Sequence, residues 1–509
     1  MQDKVLYENL FTKYRDDSTI TKIESYAKWS LPTIFADVDI RNGQRVPVAR
    51  DFQSVGAMLT NYLASKLTQL LFPANQPFFR LEGTQDMGTL AMMIGSNEGE
   101  LTATLADLEN SAYRRIFMGS SYHQLVHALK LLIATGNTLI YRDSEEGRTL
   151  AYSLRQYTVL RDGTGKVLDI VLKERVAYST LPDEVKVLFK GRKDTDELIL
   201  WTRCQRKHRS KSDTFEVSQQ VEQFSIGDIS EYPEKICPYI PVVWNLVTGE
   251  NYGRGLVEDF AGDFAKLSEL SQSLTLYEIE ATKVLHLVSP GSGTDVDELQ
   301  GAESGEYVQG KAGEVAAYEA GDYNKIRIIM EDLQAIYQRL APAFMYSGNV
   351  RDAERVTAEE LRMNAQEAEV SLGGVYSSLA DSLHVPLAHI LVNEINPSFI
   401  TEVVQGGITL NVLTGVAALG RSSSIQNLLE AANDLALCLP VFAQASNRFD
   451  KERIIDMILL GRGVKLSDVM KTEEQLQQDL AAQQNQPMAV QQGLDSPAVA
   501  QELFNQGIV

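Results

Sequence analysis

Cysteine is scarce and odd in number. Cys204, Cys237 and Cys438 are the three in a chain of 509 residues, widely separated and without a CxxC pair. That arithmetic supports neither a disulfide framework nor a thiolate metal site, and fits a reducing compartment or indifference to redox state. Basic residues are also short, with Lys and Arg totalling 47 against 68 Asp and Glu, a formal net charge of −21. Such a balance excludes a protein that coats nucleic acid through massed phosphate contacts, though not one past which nucleic acid slides. Long apolar runs are missing. The longest charge-free apolar-looking run, residues 403–419, is broken by Gln405, Gly406, Gly407, Thr409, Asn411 and Thr414, whereas a membrane span needs about 20 mainly apolar residues. The start, Met1-Gln2-Asp3-Lys4, lacks the basic and apolar pattern of a signal peptide. A soluble protein made inside a cell is expected.

Recognisable catalytic chemistry is missing too. His123 and His127 have the i, i+4 spacing of a zinc pair, but Gln124-Leu125-Val126 between them omits the glutamate of a HExxH site. Gly163-Thr164-Gly165-Lys166-Val167 lacks the spacing of a P-loop and the Ser or Thr after its lysine, and Asp162-Gly163 fits a hairpin turn. There is no GxSxG elbow. Glu250, Glu258, Asp259 and Asp263 could gather a divalent cation, but a helix N-terminus explains Glu258 and Asp259 through the helix dipole. No enzyme, cofactor or metal site is read from the sequence.

What is present is a core and a pattern. Hydrophobic residues make up 44% of the chain, enough to bury a core, and 509 residues leave room for roughly two to four domains. Helical stripes run over residues 55–72, 101–118 and 122–134, the last closed by Gly136-Asn137. From Thr138 to Trp244 the texture is β-rich, with runs at 150–160, 167–176, 185–189, 198–204 and 214–221, predicting an antiparallel sheet resting on the helices. Gly249-Glu250-Asn251-Tyr252-Gly253-Arg254-Gly255 then punctuates the chain. After it Phe260, Phe264, Leu267, Leu270, Leu274, Tyr277 and Ala281 form one amphipathic stripe, and Ile326, Ile329, Leu333, Ile336, Tyr337 and Leu340 form another, ending at Pro342. Between these helices, residues 290–323 hold seven glycines and eight acids against a single base, Lys311. Thr357 and Glu360 are spaced as a capping box, Gly373-Gly374 ends that helix, and Pro386 marks a kink or restart. A tail with eight glutamines between Gln475 and Gln492 is expected to be solvated and then disordered. One basic cluster, Arg203, Arg206, Lys207, His208, Arg209 and Lys211, is either a solvated hairpin tip or a contact with DNA or an acidic partner.

The run Ala353-Glu354-Arg355-Val356-Thr357-Ala358-Glu359-Glu360-Leu361-Arg362, followed by Leu372-Gly373-Gly374-Val375-Tyr376-Ser377, resembles the head-to-tail connector (portal) proteins of T7-like short-tailed phages. Val55-Gly56-Ala57, Leu63-Ala64-Ser65-Lys66-Leu67, Leu71-Phe72-Pro73, Gly249 to Arg254 and Thr472-Glu473-Glu474-Gln475 support the resemblance in collinear order over essentially the whole length. It implies a predominantly helical α+β portal fold assembled as a ring of about twelve subunits at one capsid vertex, closed by a heterologous interface. It further implies a wing over residues 1–255, stem helices at 256–289 and 324–342 flanking a clip at 290–323, and a tunnel loop at 343–356. Wing or channel helices would follow at 357–399, a helical crown at 400–480 and a glutamine-rich flexible tail at 481–509.

The implied partners are other copies of the chain, the major capsid protein, scaffolding protein, the terminase large subunit, tail adaptor and tail tube proteins and internal core proteins. Double-stranded DNA would pass without sequence recognition, and no membrane or cofactor is involved. The implied place is the virion, after synthesis in the bacterial cytoplasm. In this reading Asp295, Asp297, Glu298, Glu303 and Glu306 form the acidic docking surface of the clip. Arg351, Arg355 and Arg362 are candidates for phosphate contact in or beside the tunnel loop, with salt bridges to Asp352, Glu354 or Glu359 as the alternative. Arg203, Arg206, Lys207, Arg209 and Lys211 are a basic contact patch. A packaging enzyme and an internal or ejection protein are the competing readings.

Overall fold

A computed structural model describes residues 6–36, 48–73, 77–83, 98–117, 120–189, 191–209, 213–281, 284–291, 295–303, 307, 309, 313, 315–319, 323–346, 358–397, 410–414 and 455. The chain divides into two compact units, residues 1–419 and 420–509, and every described residue except Ile455 belongs to the first.

The helices in chain order are α1 (Tyr7–Tyr14), α2 (Asp17–Trp29), α3 (Val55–Leu71), α4 (Glu98–Phe117), α5 (Ser121–Thr135), α6 (Asp183–Lys186), α7 (Leu256–Asp259), α8 (Ala261–Ala281), α9 (Val296–Gly301), α10 (Tyr323–Ala343), α11 (Ala358–Ser371), α12 (Val375–Leu379) and α13 (Val385–Ile395). The strands are β1 (Phe79–Gly83), β2 (Asn137–Asp143), β3 (Arg148–Tyr152), β4 (Tyr157–Arg161), β5 (Val167–Ala177), β6 (Glu197–Lys207), β7 (Thr214–Val221), β8 (Phe224–Pro233), β9 (Tyr239–Val243), β10 (Val284–Val288), β11 (Val315–Glu319) and β12 (Leu410–Thr414). The fold is α+β.

Strands β4-β5-β6-β7-β8 make an antiparallel meander and β3-β2-β9 a smaller antiparallel sheet. The period-2 alternation of side chains sends neighbouring residues to opposite faces of the large sheet. Val171 and Trp201 pack beneath Tyr7 and Phe11 of α1, while Ile170, Leu172 and Cys204 face a core shared with Ile20 and Ile23 of α2 and Leu131 of α5. A larger core gathers α3, α4, α5, the start of α8, the end of α10 and the run α11 to α13. Arg142 of β2 joins that core to the small sheet. Fully buried, it donates through Nε to Glu394 Oε1 at 2.8 Å and through Nη2 to Glu394 Oε2 at 2.9 Å, with Nη1 on the Gly147 carbonyl. Arg115 donates to the same carboxylate at 3.2 Å. Enclosing both charges of such a pair is tolerable only because nearly every polar atom is matched.

Several elements differ from the expectations. Residues 256–289 are not one helix. Phe260 separates α7 from α8, helix ends at Ala281, and Val284-Leu285-His286-Leu287-Val288 pairs with β11 as a strand. That segment alternates with β-branched ends, a period-2 pattern, and the 3.6-residue stripe stops before it. The run 185–189 is α6 followed by a single 3-10 turn, because Pro182, Asp183 and Glu184 supply helix-start chemistry in too short a space for a strand. Strand β8 went unrecognised, since Gly227, Asp228 and Pro233 dilute its pattern. Within the range expected to be a helical crown, residues 410–414 form β12 against β1; the rest of that range, apart from Ile455, and the tail lie outside the described residues, as does Thr357 of the capping box. Pro386, by contrast, does mark a restart as expected, standing in the first turn of α13. The irregularity falls just before it, as a π turn over Ala380–His384, where the missing Pro386 N–H and the ring displace the ordinary helical ladder.

Candidate functional site

The glycine-rich punctuation is a junction where three elements meet too closely for side chains. Gly136 ends α5 in the left-handed conformation at φ +77, and a Cβ there would lie 2.4 Å from the Arg254 carbonyl carbon. A Cβ on Gly253 would meet Val243 Cβ at 2.8 Å, and one on Gly255 would meet the Gly136 nitrogen at 2.7 Å. Asn137 locks the approach. Its Nδ2 donates to the Gly253 carbonyl at 2.7 Å and its Oδ1 accepts from the Gly253 amide at 2.7 Å, so one amide mimics a strand partner. The chain therefore leaves the small sheet at a fixed angle and enters α7 and α8.

Helices α8 and α10 run antiparallel as a hairpin. Arg339 donates to Asp263 at 2.6 Å and Lys266 to Asp332 at 3.0 Å, a register that only opposed directions satisfy. Each helix has 21 residues, a length of about 31 Å. The base of the hairpin is set in the large core. Phe264 and Leu267 meet Ile336, Leu340 and Phe344 there, with the Phe264 and Phe344 rings perpendicular at 5.8 Å. Beyond Leu270 and Leu333 no described side chain of either helix is buried. Leu276, Ile279, Ile328 and Met330, all more than half exposed, stand on this distal half.

At its base α10 ends beyond Pro342. Met345 adopts φ +53, its amide donates to the Pro342 carbonyl, and the Tyr346 amide reaches the Ala341 carbonyl, a Schellman ending with Met345 in the place usually held by glycine. Met345 is buried in the core and Tyr346 sets its ring edge-on to Tyr62 at 5.0 Å. The first residues of the expected tunnel loop are thus anchored on α3, and residues 347–357 lie outside the described residues.

At the far end the hairpin continues into the two-stranded ribbon β10-β11, antiparallel from Val284↔Glu319 to Val288↔Val315. Between these strands lies α9. Asp295 caps it, accepting from the Asp297 and Glu298 amides at 3.0 and 3.4 Å. Asp295, Asp297, Glu298 and Glu303 are exposed, so four of the five acids singled out in the clip surround this one short helix; Glu306 lies outside the described residues. Among the acids, Val296, Leu299 and Tyr307 are exposed apolar groups, Tyr307 fully so. Composition marked the acids but passed over these three. Leu276, Ile279, Ile328 and Met330 were passed over too, though each lies off the phase of its helix's apolar stripe, which is the signal that finds them.

The other predicted residues are placed as follows. Arg203 clasps Asp169 at 2.6 Å on the α1 face of the large sheet. Arg206 bridges Asp213 and Glu234 at 2.7 and 2.6 Å, Lys207 pairs with Glu216, and Arg209 pairs with Glu231 at 2.8 Å. Hydrogen bonds from His208 and then Arg206 hold the Asp213 carboxyl below its usual range. Four cations face five carboxylates, so the described cluster carries no surplus of positive charge; Lys211 lies outside the described residues. Arg351 and Arg355 also lie outside them, and Arg362 is placed on α11 by its backbone alone.

Glu250 pairs with Arg254 and Asp263 with Arg339, while burial raises the carboxyls of Glu258 and Asp259. His127 is held neutral by burial and by the nearby Lys130 and His123. Among the described residues no group of three or more His, Cys, Asp or Glu side chains is arranged to hold a metal, and no helix is long and apolar enough to cross a membrane.

Two antiparallel sheets, a helical hairpin set at a glycine junction and an exposed acidic segment beyond it make up the described fold. Residues 8–465 match the family of bacteriophage head to tail connecting proteins, and the chain belongs to it. It is 42% identical to the portal protein of Pseudomonas phage phiKMV over 486 residues, 95% of each chain. It is 30% identical to the portal protein of Enterobacteria phage SP6, over 96% of this chain and 94% of that one. Identity to the portal protein of Escherichia phage T7 is also 30%, over 94% of this chain and 89% of that one.

Proposed function

We propose that this chain is a portal protein, a ring-forming conduit at one capsid vertex through which double-stranded DNA enters and leaves without being read. The observation that carries the reading is the α8-α10 hairpin, rooted in the core at one end, exposing apolar side chains along its distal half and bearing an acidic tip. Copies set side by side around an axis would cover Leu276, Ile279, Ile328 and Met330 through a head-to-tail contact that closes on itself. A net charge of −21 per chain, repeated around the ring, repels phosphate and keeps DNA mobile while an external motor drives it.

In this reading the acids Asp295, Asp297, Glu298, Glu303 and Glu306, with Val296, Leu299 and Tyr307 as apolar anchors, receive first the terminase large subunit and then the tail adaptor. The wing meets the major capsid protein and scaffolding protein, and the crown the internal core proteins. Arg351, Arg355 and Arg362 are the arginines assigned to phosphate contact. The chain does no chemistry of its own.

The test is electron microscopy of the purified protein. Rings of about twelve copies, roughly 680 kDa from the chain mass of 56.5 kDa, with an axial hole wide enough for duplex DNA, are expected. Monomers or two-fold dimers that persist after mixing with scaffolding protein would refute it.

A further inference from the structure

Two of the three cysteines, 33 positions apart in sequence, meet inside the fold. Cys204 lies in β6, the central strand of the large sheet, and Cys237 lies two residues before β9 of the small sheet. Their Sγ atoms are 3.6 Å apart, both are free thiols, and both are buried. Nothing in the connecting function uses them. The segment between them holds the end of β6 and the β7-β8 hairpin, with the ion-paired cluster at the β6-β7 connection, and the residues after Cys237 lead through β9 to the glycine junction and α7.

We propose that Cys204 and Cys237 are a dithiol that a small neutral peroxide converts to a disulfide within the folded chain, stapling the large sheet to the strand that enters the stem. The sulfurs need to close by about 1.5 Å to reach bonding distance, a side-chain rotation in scale and not a refolding. The step balances. One thiol sulfur attacks a peroxide oxygen, the O–O bond breaks, and its proton leaves in the first water, giving a sulfenic acid. The second sulfur then attacks the sulfenic sulfur, the S–S bond forms, the S–O bond breaks, and the second thiol's proton leaves in another water. Two electrons pass from the sulfur pair to the peroxide.

Burial dictates the oxidant. Thiol–disulfide exchange with glutathione disulfide needs contact with a bulky, charged reagent, which two buried sulfurs do not offer; the hydrogen bond with Cys237 and burial hold the Cys204 thiol well above its ordinary range, which slows attack on any oxidant, a peroxide included. The pair therefore stays reduced against a glutathione-type buffer and reacts with a reagent that can diffuse into the protein. A particle leaving a reducing cytoplasm for aerobic medium meets that change of conditions.

The experiment oxidises the folded full-length chain, in wild-type and C438S forms, with hydrogen peroxide. After removal of peroxide the chain is unfolded, its free thiols are alkylated, and the digest is read by mass spectrometry. The expected product joins the Cys204 and Cys237 peptides with two hydrogens lost, in both forms. It is expected to raise the melting midpoint on the order of 5 °C, reversibly with reductant. C204S and C237S, treated alike, show neither change, and glutathione disulfide leaves the wild-type thiols free. The proposal fails if the two cysteines are recovered as separate peptides, alkylated or over-oxidised, from a chain whose circular dichroism is native. It fails equally if the link forms only in denaturant, if it lowers the melting midpoint, or if Cys438 is the partner. The wild-type digest decides even if a serine variant does not fold.

Discussion

Acid should weaken this fold through its buried histidines, and His384 allows the effect to be isolated. His384 closes the π turn before α13, is 1% exposed, and packs its ring against Phe72 at 5.0 Å and Phe78 at 4.7 Å. Burial holds its pKa down to about 3, against 6.5 for a free histidine. The unfolded chain takes up a proton near pH 6.5 that the folded chain refuses until about 3, so the contribution is fully present above the unfolded value and is lost as pH falls through that window. At about pH 5 the loss from this one group is about 2 kcal/mol, with a slope of about 1.2 kcal/mol per pH unit between 5 and 6.

His389, held at about 4 by burial and by Lys235, acts in the same direction. Glu174, whose buried carboxyl is pushed up, acts in the opposite one. A difference between two chains removes both. H384L keeps the aromatic cage filled with a side chain of similar volume, and urea unfolding of both proteins at about pH 5, 6 and 7.5 should give curves that converge as pH rises. Relative to wild type the variant should lose about 2 kcal/mol less on going to about pH 5. Parallel curves would show that His384 is protonated in the folded chain or that its site opens to water, and would refute the argument.

Removing one partner of the enclosed ion pair should be severe: E394A leaves Arg142 buried without its counter-charge and is expected to cost about 3–5 kcal/mol in urea unfolding, much of it recovered by an apolar R142M/E394M pair. G136A should destabilise by about 2 kcal/mol more than G249A, because both glycines have positive φ but only the first would press a Cβ against backbone; thermal melts of the two variants give the comparison. Replacing Leu276 and Ile328 by glutamate should abolish rings in sedimentation velocity while leaving circular dichroism unchanged, at about 2 kcal/mol or more per contact. D297N/E298Q should weaken capture of the terminase large subunit and flatten its salt dependence, with ring formation intact.

The helices and the large sheet were legible because burial there is one-sided and periodic. Val55 to Leu71, Ser121 to Thr135 and Thr214 to Val221 appear within a residue or so of where the stripes and alternation put them. The two helices of the hairpin were legible in outline, and the error at the end of the first is instructive. A five-residue strand following a 21-residue helix is lost when only the longer period is sought, and Val284-Leu285-His286-Leu287-Val288 was absorbed into the helix before it. Contacts made by isolated side chains were not legible at all. Arg142 and Glu394 are 252 positions apart and neither sits in a motif. Cys204 and Cys237 looked unrelated because the sequence does not say that β6 and the approach to β9 converge. Asn137 was visible only as half of a helix stop. The acidic tip was found by counting charge, but the apolar groups within it were not, since one exposed tyrosine in a glycine-rich segment carries no periodicity.

The placement of these contacts accounts for the division of labour within the hairpin. Its base is over-determined: the Asn137 clamp, the glycine approach, the Phe264-Phe344 packing and two interhelical ion pairs all fix the same angle. Along its distal half no described side chain beyond Leu270 and Leu333 is buried. A lone helical pair of that length with apolar groups facing water is marginal, and in the proposed ring a neighbouring copy would cover this surface. In that ring, rigidity at the base would set the direction of the neighbouring copy. A heterologous contact repeated at a fixed angle closes into a ring only if that angle is held constant from copy to copy. On this argument the glycines at 136, 253 and 255 act at a distance. In the ring proposed above they would act on closure by fixing the angle at which α7 and α8 leave the small sheet.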